Sequence, residues 1–564
     1  MIAGYGMPLR WRLALCEFPS GSIVPGMLHT SSTSWFPVCR WRSDRVAVLS
    51  LIALAILLKL IVLLQHPILA RDGIHHLHFA YDLSEQPWAT TVREHPFHPG
   101  YAYTILVASM IFEWCDPGPL TPSEWQWCGH LSSALAGVLL VLPLYGLSRC
   151  FFSIRTSWLA AGFFLILPTA VQTTCDTLTE SWYLLFVLSS LWALVHGVRS
   201  QRSSWFVVAG LLAGAGYLVR VEALIVPATS VLWMFVRRWQ FQQLLPNGAS
   251  LRNMAILGCC FVLPALPYMV TIGKLSNRPA VQTIASTPVL SLMDNTQLLA
   301  SQRLQHGVNG MHIDRVRWSD AVTLVIMTHF RAGNYILWPL AALGCYMFWR
   351  TQRHDAGYLL LAILVVLHTV MLVRLALTAG YASERHTLLV IAIVAQTAAV
   401  GFIGIKQWLK QHLHARRGLA PLVSALMLVG VLAISLPKAL QPLHHSQEAH
   451  RQAGLWLAEH AHLGTDAIVD PYTWASFYAG VAFKPPVVQV EPCCTLGIID
   501  PKDNDLNRLR DWKKAHLTSE EADTVWTWPA GRQPKLVIRK QVARNRQSEV
   551  SNRKTEAGFA APGY

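Results

Sequence analysis

Val46 to Leu64 reads VAVLSLIALAILLKLIVLL, an apolar run close to the length of about 20 residues that an α-helix needs to cross a bilayer. Nothing in residues 1–45 has the apolar run of a signal peptide, and no small-residue cleavage pattern follows Leu64, so the run reads as a retained span. Similar runs recur at 128–147, 157–172, 180–198, 205–219, 221–236, 253–272, 332–349, 357–377, 387–405 and 418–436. The stretch 101–113, after Pro99-Gly100, is too short to cross and would lie at the interface or pack on the bundle. The expected fold is mainly α: a polytopic transmembrane helix bundle over 46–436 with about eleven spans.

Composition and charge agree with that reading. Hydrophobic residues make up 53% and charged residues 14%, where a soluble domain carries about 25% charged. Mean hydropathy is +0.36. A net charge of +15 fits either a nucleic-acid binder or a membrane protein with basic cytoplasmic loops. The basic residues lie between apolar runs, which favours the second and sets nucleic acid aside. Arg40, Arg42 and Arg45 precede the first span and place the N-terminal segment, 1–45, in the cytoplasm. Alternation then puts Arg149 and Arg155, Arg199 and Arg202, Arg237 and Arg238, Arg350 and Arg353, and Lys406 and Lys410 on the same side.

Three segments are left outside. The first two are loops at about 65–127 and 273–331. The third, 437–540, alternates helical and strand patterns: a helix near 446–462, strands at 467–469, 487–490 and 536–538, and a helix at 472–478. It reads as a small extracytoplasmic α/β domain, with a disordered basic tail at 541–564. Cys115 and Cys128 share the first external loop at a spacing that permits a bridge. Cys493 and Cys494 are adjacent, which makes a bond between them strained. The chain has no CxxC, no Walker motif and no GxGxxG.

Chemistry concentrates in the first external loop. Arg71-Asp72-Gly73 follows the first span, and Arg93-Glu94-His95-Pro96-Phe97-His98-Pro99-Gly100-Tyr101 follows later. A carboxylate just beyond a span lies where a lipid-borne substrate presents its head group, and it can take a proton from an attacking hydroxyl. The plainer role for Asp72 is to cap the helix that starts at Gly73. On a helix Asp72, His75 and His76 share a face and could ligate a divalent metal. An interfacial helix with polar head-group contacts explains them more simply, so no cofactor is expected. Cations near the external ends of spans suit a phosphate: Arg220, Arg331, and the Arg385-His386 pair. Arg220 could instead pair with Glu222, and Arg385 with Glu384 or Asp176.

These elements in this order resemble the GT-C glycosyltransferase superfamily. The features that carry the likeness are a charged residue then Asp after the first span, a His-Pro-x-x-Pro-Gly-Tyr-like stretch, the span His130–Leu147, Leu147-Ser148-Arg149, Pro168, Asp176, and the Gly-rich Ala213–Ala223 ending Arg220-Val221-Glu222. The bacterial branch of protein O-mannosyltransferases and of the aminoarabinose transferase of lipid A is the most similar. The resemblance covers roughly 46–240. It implies transfer of a sugar from a polyprenyl-phosphate donor to an acceptor on protein, lipid or polysaccharide, at the outer face of a bacterial inner membrane. It also implies that Asp72 is the catalytic acid of the first loop and Asp176 that of the second. Arg71, His95, His98, Arg220, Arg331, Arg385 and His386 would bind substrate. The family often has Glu after the first Asp, where this chain has Gly73, and Glu94 stays open as an alternative base. Two other readings compete. A transporter of lipid-linked sugars would explain Gly210–Gly216 as a broken helix, and an assembly protein would use only the external tail.

Overall fold

The computed structural model describes residues 41–65, 67–240, 248–278, 317–352, 355–412, 419–462, 466–470, 472–483, 494–499, 523–529 and 535–542. The expectations for 1–40, for most of loop 273–331, for a strand at 487–490, for Cys493 and for the tail beyond 542 lie outside them.

The first apolar run forms α1 (Trp41–Leu63). The first external loop holds α2 (Arg71–Glu85), α3 (Trp88–Glu94) and α4 (Pro99–Cys115). The chain then returns through α5 (Pro122–Leu139) and α6 (Val141–Arg149). Thr121 starts α5 with a reciprocal capping box to Glu124. The run 157–172 breaks at Leu167-Pro168 into α7 (Ile154–Leu165) and α8 (Pro168–Thr173), because proline cannot continue a helix from the preceding turn. Next come α9 (Glu180–Ser200), α10 (Ser203–Val219), α11 (Ile225–Gln240) and α12 (Gly248–Ile272). The last third of the bundle is α13 (Trp318–Ala332), α14 (Leu337–Gln352), α15 (Ala356–Ala379), α16 (Leu388–His412) and α17 (Leu419–Ala439).

Among the described residues seven helices are long and apolar enough to cross a membrane: Ser43–Leu63, Pro122–Arg149, Glu180–Ser200, Gly248–Ile272, Ala356–Thr378, Glu384–His412 and Pro421–Ala439. The other expected spans are helical but shorter or interrupted. α10 and part of α14 are short apolar helices. The run 221–236 opens on a 3-10 turn, Val221–Leu224, before α11. A turn at Gly333–Ile336, with Asn334 and Tyr335 at positive φ, parts α13 from α14 within the expected run 332–349. The stretch 101–113 lies in α4, which packs on the bundle at its start, with Tyr101 fully buried and bonded to Ser133 at 2.7 Å.

Charged pairs mark both ends of the bundle. At one end Arg149 pairs with Asp44 at 2.9 Å and Arg199 with Asp355 at 2.9 Å. These are ends that the arginine distribution assigns to the cytoplasm. α9 runs from there back to Glu180, about 30 Å at 1.5 Å per residue, so Glu180 lies a bilayer core away.

α10 is one unbroken helix. Its glycines form a packing seam: a Cβ at Gly210 would meet the carbonyl oxygen of Leu257 on α12 at 2.6 Å, and one at Gly214 would meet that of Phe261. The glycine run therefore brings two helices close together and does not break the helix.

After α17 come α18 (Glu448–His460) and α19 (Trp474–Tyr478), with a four-stranded sheet in the order β1-β2-β4-β3. β1 (Asp466–Val469) pairs parallel to β2 (Cys494–Ile499). β4 (Leu536–Val542) is antiparallel to both β2 and β3 (Asp523–Trp528). Cys494, Leu496 and Ile498 alternate onto one face with Leu536 and Ile538, and Ala449, Ala453 and Leu457 of α18 cover them. The segment docks on the first loop. Trp474 Nε1 donates to the Leu69 carbonyl at 2.9 Å, Tyr478 Oη to Gln126 Oε1 at 2.8 Å, and Tyr81 Oη to the Phe483 carbonyl at 3.2 Å. Cys115 is exposed and Cys128 buried, both as free thiols.

Gly214→Val should push α10 off α12. The expected loss is about 1–3 kcal/mol, read as a lower unfolding temperature of the purified protein in detergent. An unchanged temperature would contradict the seam.

Candidate active site

α2 starts at Arg71, two residues earlier than Gly73, and its N-cap is Ala70, which offers no side-chain cap. Asp72 therefore does not cap. It sits in the first turn, where a negative charge suits the helix dipole, and its carboxylate accepts from Arg385 Nη2 at 2.5 Å. Gly73 follows because α2 lies directly on the loop before α9: a Cβ there would meet the Thr177 carbonyl oxygen at 2.8 Å.

From Asp72 a row of alternating charges crosses the end of the bundle. Arg385 Nε lies 3.6 Å from Glu180 Oε1, and Arg220 Nη1 donates to that oxygen at 2.6 Å. Arg220 Nη2 donates to Glu222 Oε1 at 2.7 Å, and Arg278 Nη1 lies 3.6 Å from the same atom. The row is deepest at its centre, where the side chains of Arg220 and Glu180 are 6% and 3% exposed. It opens at Asp72, whose side chain is 45% exposed. Paired in this way, each charge has an opposite neighbour where an unpaired one would be expensive. Arg220 Nε and Glu222 Oε2 are nevertheless buried with no hydrogen-bond partner among the described residues.

Burial works against ionisation of Asp72, but the guanidinium of Arg385 outweighs it and holds the carboxyl well below the usual carboxylate range. Burial, with Arg278 adding to it, pushes His76 down to about 3, so it is neutral. Its ring packs against Phe97 at 4.6 Å and Tyr101 at 5.1 Å.

A cavity of about 380 Å³ lies beside this row. Arg220, Arg278, Arg385 and His386 line the end beside the row, together with the acids Glu180 and Glu222 and with Tyr183 and Tyr381. Leu184, Ile225, Leu367, Met371, Leu372 and Leu389 supply its apolar walls. The cavity has a charged end that presents three guanidinium groups and an apolar end, which suits an anionic head group on a hydrocarbon chain.

Residues 118–268 match the family model described as dolichyl-phosphate-mannose-protein mannosyltransferase. That region contains Asp176, Glu180, Arg220 and Glu222. No curated protein sequence matches the chain. Among solved structures, ArnT from Cupriavidus metallidurans bound to undecaprenyl phosphate aligns with a TM-score of 0.56 at 12% identity, over 88% of this chain and 98% of that one. The Archaeoglobus fulgidus oligosaccharyltransferase tethered with an acceptor peptide aligns with a TM-score of 0.53 at 12% identity, over 78% of this chain. The chain spans 63% of that enzyme's length. The fold is that of the GT-C membrane glycosyltransferases.

Within this GT-C fold the structure gathers Asp72, Arg220, Arg385 and His386 around the cavity and leaves the other candidates elsewhere. Arg71 opens α2 beside Asp72. Asp176 is buried and fully engaged: Oδ1 accepts from the backbone N–H of Ala70 at 3.0 Å and of Thr177 at 2.7 Å, and Oδ2 meets His444 Nε2 at 2.7 Å. Its geometry anchors the start of α2. Glu94 is exposed at the end of α3 and makes no ion pair among the described residues. His95 meets Asp82 at 2.7 Å and stacks on Phe79. His98 is buried, 2.9 Å from Ser276 Oγ and against Tyr268. Arg331 is exposed at the end of α13, outside the cavity. The pairing of Arg220 with Glu222 is present. Arg385 pairs with Asp72 and Glu180, while Glu384 accepts from Thr169 Oγ1 at 2.9 Å. Among the described residues no group of three His, Cys, Asp or Glu is placed to hold a metal ion.

Glu180 and Arg278 escaped the sequence reading. An acid at the mouth of an apolar run was the available signal for Glu180. Arg278 sits in a long polar loop and offered none.

The Asp176–His444 clasp has a pH dependence. Burial opposes both charges, but each partner outweighs it, lowering Asp176 and raising His444. His130, Arg385 and Asp72 also face the pair. The Asp176 contribution is present above about pH 4 and is lost as pH falls through the depressed value. The His444 contribution is complete below about pH 6.5 and is lost as pH rises through the raised value. Wild type should therefore melt above His444→Gln near pH 5, with the gap closing at alkaline pH. A gap independent of pH would contradict the clasp.

Proposed function

We propose that the chain is a glycosyltransferase that moves a sugar from a polyprenyl-phosphate donor to an acceptor hydroxyl at the outer face of the membrane. The observation that carries this reading is the cavity, with guanidinium groups at its outer end, leucine-rich walls below, and Asp72 one ion pair away. The match to the mannosyltransferase family model and the likeness to ArnT bound to undecaprenyl phosphate support it. The arginines at the opposite end of the bundle support an outward-facing site.

In this mechanism the prenyl chain lies along Leu184, Ile225 and Met371, and the phosphate meets Arg220, Arg278 and Arg385. The acceptor oxygen attacks the anomeric carbon. Its proton passes to Asp72 as the new C–O bond forms. The bond from the anomeric carbon to the phosphate oxygen breaks, and its electron pair stays on the phosphate. The donor phosphodiester, with one negative charge, becomes a phosphomonoester with two, while Asp72 becomes neutral. The fixed guanidinium groups stabilise the charge that develops on the leaving group.

Sugar transfer by the purified protein in liposomes tests this, with radiolabelled polyprenyl-phosphate sugars as donors and membrane extract as acceptor. Asp72→Asn should fold, with a cooperative unfolding transition, and transfer about 10²- to 10⁴-fold more slowly. Equal rates would move the base to another carboxylate. No transfer from any donor by the wild type would contradict the proposed activity.

A further inference from the structure

One arginine has two calls on it. Arg385 donates to Asp72 at 2.5 Å and also lines the cavity, which Asp72 does not. It stands between the carboxylate and the place proposed for the donor phosphate. Resting on that reading, we infer that Arg385 is shared between them: an anion in the cavity draws Arg385 off Asp72, and Asp72 becomes available as a base only when a donor is bound.

Three observations carry this. First, the row Asp72–Arg385–Glu180–Arg220–Glu222–Arg278 has equal numbers of acids and guanidiniums. Its charges already balance, so a phosphate that enters beside it competes with these carboxylates for the same guanidiniums. Second, the row is unequally held. Arg220 is fixed by two short bonds and is almost fully buried, whereas Arg385 has one short bond, to the most exposed acid in the row. Of the two arginines held by short bonds, Arg385 is the one that can turn; Arg278, 3.6 Å from Glu222, makes no ion pair with Asp72 among the described residues. Third, the reaction moves one negative charge from Asp72 to the phosphate, since Asp72 gains the acceptor's proton and the phosphate gains an electron pair. A cation shared by the two sites follows that charge.

The pairing also has a use. While Arg385 holds Asp72 below its ordinary range, the carboxylate is a poor proton acceptor. Releasing it raises its basicity at the moment a sugar is in place, and an empty site stays inactive toward bystander hydroxyls.

If one arginine serves both, each site competes with the other, and by linkage removing Asp72 must favour the anion. The test is equilibrium binding of farnesyl phosphate to the detergent-purified full chain. Asp72→Asn should bind it at least about fivefold tighter than wild type, while farnesol binding stays unchanged. Asp72→Ala, checked by melting temperature, should do the same. In an Arg385→Gln background the gain from Asp72→Asn should vanish, which separates exchange of this arginine from the loss of any nearby negative charge. Glu94→Gln, which removes an exposed carboxylate from the same loop, should leave affinity alone. Unchanged or weaker binding by Asp72→Asn overturns the sharing, as does a gain that persists without Arg385. Failure of the wild type to bind farnesyl phosphate at all removes the proposed donor site, and this inference with it.

Discussion

Arg220 sits at the end of an apolar helix with its guanidinium 6% exposed, between Glu180 on one side and Glu222 on the other. A charge at that depth has little water to turn to, and the two acids compensate it. Meeting that requirement ties the start of α9, the end of α10 and the turn that leads into α11 to one point. Arg385 extends the tie to α16 and, through Asp72, to α2. The segments that carry the site are thus held together by electrostatics at this end and by close helix packing beyond it.

The cavity follows from the same arrangement. Helices pinned at these ends enclose a space lined by leucine and methionine together with three guanidiniums and two carboxylates. Arg220, fixed by two short bonds, is oriented before any ligand arrives and needs little reorganisation when charge develops beside it. His386 and His368 also line this space, and each keeps a buried Nδ1 without a partner among the described residues. The donor side of the site is therefore not saturated by the protein's own contacts.

Helical architecture was legible because lipid exposure writes long apolar runs, and every run read as a span is helical. Length was harder to read. Pro168 and the turn at Gly333–Ile336 cut runs that hydropathy alone joins. Asp72, Arg220 and Arg385 stood out because charge at the edge of an apolar run is costly and so tends to be placed for a reason. The histidines of the first loop misled for the opposite cause: His95 and His98 are packed against aromatic rings, and a sequence does not distinguish packing from ligand contact. Asp176 was singled out as an acid, but its partner His444 lies 268 residues away, and only the fold joins them. In the C-terminal segment β1 and β4 were read and β2 and β3 were not. Gly497 interrupts the apolar pattern of β2, and β3 is short and exposed over its first half, so neither carries a strong strand signal.

The account stands on where a lipid phosphate binds. The most direct measurement is an electron cryomicroscopy structure of the full chain in nanodiscs with undecaprenyl phosphate. Phosphate density within hydrogen-bond distance of Arg385, with Arg220 or Arg278 beside it and the prenyl chain along Leu184, Ile225 and Met371, is the result the account predicts. A lipid bound elsewhere on the bundle, with the row from Asp72 to Arg278 still closed on itself, would contradict it.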